Sequence, residues 1–597
     1  MTQAAISSTS TGSEETLPRW DLSDLYQGPD CEALKQDIVT STQQAEAFSK
    51  QYQSQIENLS GNDLATAIAE YETIQETLGR LGSFAYLYYA ENMSDAIRAQ
   101  FFQNISEALN DISTPLIFLT LELTRIEDKA MEEKLQQSTA LRHYAPWIRD
   151  VRVYKPYQLS DELEKLLHEK SVTTQAWTRL FDETISHLRF PLGDDELTCT
   201  EILHLMSSKD SEKRKEAAQT LGKVLAENIR IFSTITNALA KDKAIEDKWR
   251  NLPKPISERN VSNFIEDDVV EALISSVKAS YSNLSHRYYR LKAKWMDKDA
   301  LDYWDRNAPL PQDTDRKIPW EEAVELVLTA YGNFSPQLRT LGEKFFDNDW
   351  IDVPPRDGKD SGAFAHPTVP SAHPYLLLNY QGKIRDVMTL AHELGHGVHQ
   401  LLSAKQGGLM ADTPLTLAET ASVFGEQLTF RELLNRETDA DKRKIIIAGK
   451  VEDMLNTVVR QVAFCEFERL VHDKRKEGEI STEELGAIWM QVQQESFGDA
   501  IRFDDNYCNF WSYIPHFVHS PFYVYSYAFG DCLVNALYAQ YLEGMEGFED
   551  KYFTMLEAGG TLHHKELLAP FDLDASDPAF WQKGLDIISG FIDELEG

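Results

Sequence analysis

His392-Glu393-Leu394-Gly395-His396 places two imidazoles and a carboxylate at a spacing that can do chemistry. On a helix, residues i and i+4 share one face about one turn apart. Both rings can therefore reach a single zinc at roughly 2.0–2.1 Å. The glutamate after the first histidine then stands beside the metal, where it can take a proton from a metal-activated water. The flanking Val387, Leu390, Ala391, Leu394 and Val398 suit a buried helix. A buried histidine pair with a glutamate needs partners, and a metal is the simplest.

A catalytic zinc needs a third protein ligand and one open position. His399 shares the face at i+7 but lies about 4.5 Å further along the axis than His396. That is too far to join the same ion, and it suits a buried, hydrogen-bonded histidine. The longer pattern H-E-x-x-H-x-x-G-x-x-H is excluded, because position 402 is Leu402. Glu419, in Leu417-Ala418-Glu419-Thr420-Ala421-Ser422, is the favoured third ligand. A carboxylate in so small and apolar a segment is not a mere solvated face. The intervening residues allow one helix to end near Gly407-Gly408 and a second to start near Thr413, Pro414 and Thr416. Glu426 is the rival ligand on the same face, or else a carboxylate supporting a ligand.

Downstream, residues 503–529 are dense in aromatics and also hold His516 and His519. Phe510, Trp511 and Phe529 read as core. Tyrosine and histidine differ, because their polar tips must find partners when buried. They can also donate to the oxyanion of a tetrahedral intermediate.

The elements that must position these groups are mostly helical. Leu64, Ile68, Tyr71, Ile74, Leu78, Leu81, Ala85 and Tyr88 step by threes and fours, as do Ala218, Leu221, Leu225, Ile229, Phe232, Ile235 and Leu239. Residues 251–258 (NLPKPISE) break one helical block. A loop-like stretch at 352–374 precedes a short strand-like run at 375–380, a turn at Gln381-Gly382 and a helix over 385–402. No fixed-period repeat is visible.

Composition excludes several classes. Lys plus Arg is 59 and Asp plus Glu 96, a net charge of −37, which opposes nucleic acid or an anionic membrane as partner. With 42% hydrophobic and 11% aromatic residues the chain is a folded globular one. No run is long and apolar enough for a membrane span. The first twenty residues lack a signal-peptide pattern. Five scattered cysteines without CxxC spacing point to a reducing cytoplasm.

Taken together, these motifs resemble the oligoendopeptidase F branch of the thimet oligopeptidase family of zinc peptidases. The resemblance rests on the opening Trp20-Asp21-Leu22-Ser23-Asp24-Leu25-Tyr26, on Gly362-Ala363-Phe364, on the run from His373 through the HELGH segment to Gln400, on LAETAS, and on IPHF…FYVYSYAFG at 514–530. It implies a mainly α, elongated multi-helix peptidase body with a deep substrate channel and a small β-sheet next to the zinc-binding helix. It implies a polar tail at 1–18, an N-terminal helical domain at 19–200 and a catalytic domain at 201–597. It implies one Zn2+ per chain on His392, His396 and Glu419, with Glu393 as the catalytic glutamate. His516 and Tyr523 match the family's substrate and transition-state residues. Tyr525 and Tyr527 are matched to substrate-binding positions, but where the thimet-type branch has glycines this chain has His519-Ser520-Pro521, so the register among Tyr523, Tyr525 and Tyr527 stays open. The run at 375–380, with Tyr375 and Leu377, matches an edge strand that pairs with an extended peptide.

The expected function is a cytoplasmic, zinc-dependent endopeptidase cutting short unstructured peptides. The alternatives are a helical zinc carboxypeptidase and a non-catalytic peptide-binding scaffold.

Overall fold

Apolar stripes at three- and four-residue steps fold as amphipathic helices that bury one face each. The computed structural model describes residues 17–310 and 317–597. The expected polar tail therefore lies almost wholly outside the described residues. Helix α1 (Gly61–Ala90) starts at Ser60, whose hydroxyl accepts from the Asp63 N–H. It buries Leu64, Ile68, Ile74, Leu78, Leu81 and Ala85, with Tyr71 and Tyr88 half-buried. Helix α2 (Ser211–Arg250) is capped by the Asp210 carboxylate and ends where Asn251 turns left-handed at φ 59°. Asparagine tolerates that conformation, and the expected break at 251–258 follows.

The apolar residues form three clusters. Two consist mainly of residues before 150, and the largest runs from Phe181 to Leu595. The smaller clusters also take in Tyr375, Leu377 and Met410, so the N-terminal helices pack against the segments flanking the histidine helix.

Three short strands form the sheet beside that helix: β1 (Ile351–Asp352), β2 (Phe364–His366) and β3 (Tyr375–Leu377). β3 is central, parallel to β1 and antiparallel to β2. This corrects the expectation of an edge at 375–380. The Leu376 N–H donates to Trp350 O at 2.9 Å and the Leu378 N–H to Asp352 O at 2.8 Å, while β2 covers the other flank. Tyr375 and Leu377 are fully buried, and the Tyr375 hydroxyl donates to the Asp21 carbonyl at 2.7 Å. Neither is available to a peptide. The unbroken apolar run Tyr375-Leu376-Leu377-Leu378 is how a strand covered on both faces reads in sequence.

Gly382, at φ 88°, makes the expected turn after the sheet. The Asp386 carboxylate accepts from the Gln381 and Lys383 N–H groups and starts α3 (Ile384–Ser403). A short 3-10 turn and Gly407 at φ 87° end that helix. α4 (Leu415–Arg436) follows after Pro414, and then α5 (Ala440–Thr457), α6 (Val459–Glu477) and, further on, α7 (Tyr525–Leu542). A Cβ on Gly395 would lie 2.5 Å from Ala421 O and 2.6 Å from Ser422 Cα. Only glycine lets α3 and α4 approach so closely. Among the described residues no helix is long and apolar enough to cross a membrane.

Candidate active site

The close α3–α4 approach brings a carboxylate from one helix to two imidazoles of the other. His392 Nε2 and His396 Nε2 are 3.2 Å apart. The Glu419 Oε2 atom lies 3.4 Å from the first and 3.5 Å from the second. Tetrahedral ligands at roughly 2.0–2.1 Å from one zinc would be about 3.3–3.4 Å apart. The three residues thus fit a zinc ion without rearrangement, and among the described residues they form the group of this kind that could hold a metal.

The surroundings hold these atoms in place. His392 Nδ1 donates to Glu426 Oε1 at 2.6 Å, leaving Nε2 to face His396 and Glu419. Glu426, the rival ligand, is therefore behind His392 rather than beside Glu419. Its other oxygen accepts from Lys450 Nζ at 3.0 Å. Burial opposes the Glu426 charge, but Lys450 and His392 together hold the carboxyl down at about 2. Burial also disfavours charge on His392, yet Glu426 keeps that imidazole above its ordinary value, whereas His396 is lowered. The Ser422 hydroxyl donates to Glu419 Oε2 at 2.6 Å. A Cβ on Gly530 would come within 3.0 Å of Glu419 Cγ, so α7 needs glycine where it crosses this side chain.

Glu393 is 7% exposed. Burial pushes its carboxyl up to about 7, with His392 and the Ala365 N–H of β2 acting the other way. The edge of the sheet thus touches the glutamate through β2, not β3. His399 is buried and shares a 3.2 Å hydrogen bond with Thr413 Oγ1, and it is not part of the three-residue group.

The three tyrosines separate cleanly. Tyr525 is fully buried, and its hydroxyl accepts from Asn263 Nδ2 at 2.8 Å. This corrects its expected place as a substrate-binding residue: it opens α7, and that first turn points it into the core. Tyr523 and Tyr527 lie edge to face with ring centres 5.3 Å apart. The charge of Glu419 helps raise the pKa of both, after burial. His516 Nε2 is 3.4 Å from the Tyr527 hydroxyl, and its ring is 6.3 Å from that of Tyr523. His519 instead pairs with Asp182 at 2.8 Å. Tyr523, Tyr527 and His516 therefore form one polar cluster on the Glu419 side.

Sequence reasoning missed Ser422, Lys450, Ala365 and Arg259. Ser422 was within reach as the residue three after Glu419. The others come from distant parts of the chain. Arg259 lies with its guanidinium 5.6 Å from the Tyr523 ring centre. A cavity of about 550 Å³ opens beside His396, lined by residues that include Glu76, Gly79, His399 and Asp412.

The pattern of peptidase family M3 matches residues 204–587, and that of oligopeptidase F matches residues 122–190. Oligopeptidase PepF of Bacillus subtilis (strain 168) is 26% identical over 593 residues, covering 97% of this chain and 86% of that protein. An oligoendopeptidase F homolog of Borreliella burgdorferi is 26% identical over 97% of this chain and 98% of its own length. Among solved structures, a chain from Chlamydophila abortus superposes with a TM-score of 0.86 at 23% identity, over 97% of each chain. Oligoendopeptidase-F from Enterococcus faecium superposes with a TM-score of 0.71 at 19% identity, over 95% of this chain and 98% of that one.

Proposed function

The chain belongs to peptidase family M3 and is a peptidase of the oligopeptidase F type; from that premise we propose that it is a zinc-dependent endopeptidase of short, unstructured peptides. The observation that carries this reading is the triangle of His392 Nε2, His396 Nε2 and Glu419 Oε2, with sides of 3.2–3.5 Å, next to a buried glutamate. These three side chains would hold the zinc. The chemistry such an ion supplies is polarisation of a carbonyl and acidification of a water.

The chain's own residues do the rest. Glu393 takes a proton from the attacking water and delivers it to the leaving amine. Glu426 orients His392 through its Nδ1–H, and Lys450 keeps Glu426 ionised. Tyr523 donates to the oxyanion, with Tyr527 and His516 beside it. The peptide backbone lies extended along the outer edge of β2, where the Ala365 N–H reaches Glu393 and the Ala365 carbonyl accepts from Gln400 Nε2. Residues 19–200 form one wall of the substrate channel and residues 201–597 carry the catalytic groups. The separate N-terminal apolar clusters support that division, although the helix ending at His187 already contributes Phe181 to the main core. A cytoplasmic location is supported by five cysteines that are all free.

Metal analysis and digestion of a peptide blocked at both ends test the reading. One zinc per chain and an internal cut are expected. Zinc with no cut of the blocked peptide, but trimming of its free-ended form, would favour a carboxypeptidase. No zinc and no cut would leave a binding scaffold.

A further inference from the structure

Tyr523 follows a residue in an unusual backbone state. Phe522 has φ 58°, in the left-handed region that bulky side chains avoid. Its ring is fully buried, with the His472 ring centre 4.9 Å away. Such a conformation persists only when the surroundings over-determine it. Here the Phe522 N–H donates to Glu468 Oε1 at 2.8 Å. Glu468 lies on α6, is 2% exposed, and has no hydrogen-bond partner for its second oxygen. A carboxyl buried so deeply with a single backbone N–H as its partner is costly, so the bond to Phe522 is, among the described residues, the one hydrogen bond that offsets its burial. From the other side, Arg259 Nε donates to Pro521 O at 3.3 Å while its guanidinium lies over the Tyr523 ring. The Tyr523 N–H closes the turn onto Ser520 O at 3.1 Å.

We propose that Glu468 is a positioning residue: by holding the left-handed turn at Phe522 it sets which way the Tyr523 hydroxyl points, and so keeps Tyr523 rather than Tyr525 in the polar cluster beside Glu419. The inference rests on the oxyanion role proposed for Tyr523. Glu468 touches neither substrate nor metal ligand, and its whole effect passes through the turn. Glutamine offers the same carbonyl acceptor in the same place. Leucine removes the acceptor, and aspartate draws it back by one methylene.

The test is a double-mutant cycle on the zinc-loaded, full-length enzyme with a short peptide substrate. Glu468→Leu should lower kcat by about 10–100-fold, with KM changed less than ~3-fold and zinc still at one per chain. Glu468→Gln should stay near wild type. In the Tyr523→Phe background, Glu468→Leu should cost almost nothing more, because the group it positions is gone. Glu468→Asp gives the same comparison should the leucine variant not fold. Losses that multiply, a loss of zinc, or a glutamine variant as poor as leucine would overturn the inference while leaving the proposed role of Tyr523 standing. An unchanged kcat in Tyr523→Phe alone would overturn that role, and this inference with it.

Discussion

Glu393 carries a buried carboxyl whose neighbours are the His392 imidazole, the Glu419 and Glu426 carboxylates and the Ala365 N–H. Its amide isostere keeps the volume and the Ala365 contact but cannot take a proton. Glu393→Gln should therefore keep zinc at one per chain and lose at least ~10²–10⁴ in turnover. Near-normal turnover in the metal-replete variant would remove the glutamate from the mechanism. The tyrosines give a sharper contrast, because they differ in burial and not in chemistry. Tyr523→Phe deletes a hydroxyl in the polar cluster and should lower kcat by about 10²-fold with little change in KM. Tyr525→Phe deletes a hydroxyl bonded to Asn263 in the core. It should leave kcat within ~3-fold and cost stability of about 1 kcal/mol, as for a typical buried hydrogen bond. Kinetics of the two variants side by side, with a thermal melt of each, check the assignment. The reverse pattern would put Tyr525 in the site.

Between α3 and α4 the deciding residue is one without a side chain. Gly395 sits inside the HELGH motif, yet its role is packing: a methyl there would meet the backbone of Ala421 and Ser422 well inside contact distance. The two helices would have to separate by enough to draw Glu419 away from the histidines. Gly395→Ala should therefore weaken zinc binding by ~10-fold or more and destabilise the chain by about 1–3 kcal/mol, the usual range for overpacking. Zinc titration of the purified variant reads the first effect and denaturant unfolding the second. Unchanged zinc affinity would show that α4 can shift without moving Glu419. The sheet makes a related point. β3 carries the apolar residues but β2 carries the outer edge that reaches Glu393, so the strand that anchors the sheet is not the strand that touches the site.

Over the whole molecule, charge and burial act on different observables. The net charge is −37, and the cavity beside His396 includes Glu76 and Asp412 in its lining. A short basic peptide should be cut about 10-fold faster than an acidic one of equal length at low salt, and the gap should narrow as salt rises. Equal rates at low salt would show that this charge does not steer substrates. Burial appears in stability instead. Glu468 is pushed up to about 8 by desolvation, with the Phe522 N–H, Arg259 and Lys243 opposing; Cys465 and His472 are its neighbours on α6. An acid whose folded pKa lies above its unfolded value of 4.5 binds more protons when folded across that window. Its contribution is therefore full below about pH 4.5 and lost as pH rises through about 8. The Tm should fall across this range, and Glu468→Gln should flatten the fall. Parallel melting profiles for wild type and variant would refute it.

Periodic spacing is local, and what it encodes was legible in the chain itself. The HELGH pair had to share a helix face. The stripes at 64–88 and 218–239 had to bury one side, and Asn251 and Gly382 stood where the chain turns. Glu419 stood out because a charge in LAETAS had no solvent-facing company. What the sequence left open depends on contacts between residues far apart in it. Whether 375–380 lies at an edge is decided by strands at 351–352 and 364–366. Whether Tyr525 or Tyr523 reaches the polar cluster is decided by Asn263 and by Glu468, 54 residues before its partner Phe522. The aromatic run offers three tyrosines at alternate positions, all of one type. Only the left-handed turn at Phe522 and the start of α7, both held by tertiary hydrogen bonds, determine which hydroxyl stands beside Glu419 and which is sealed in the core.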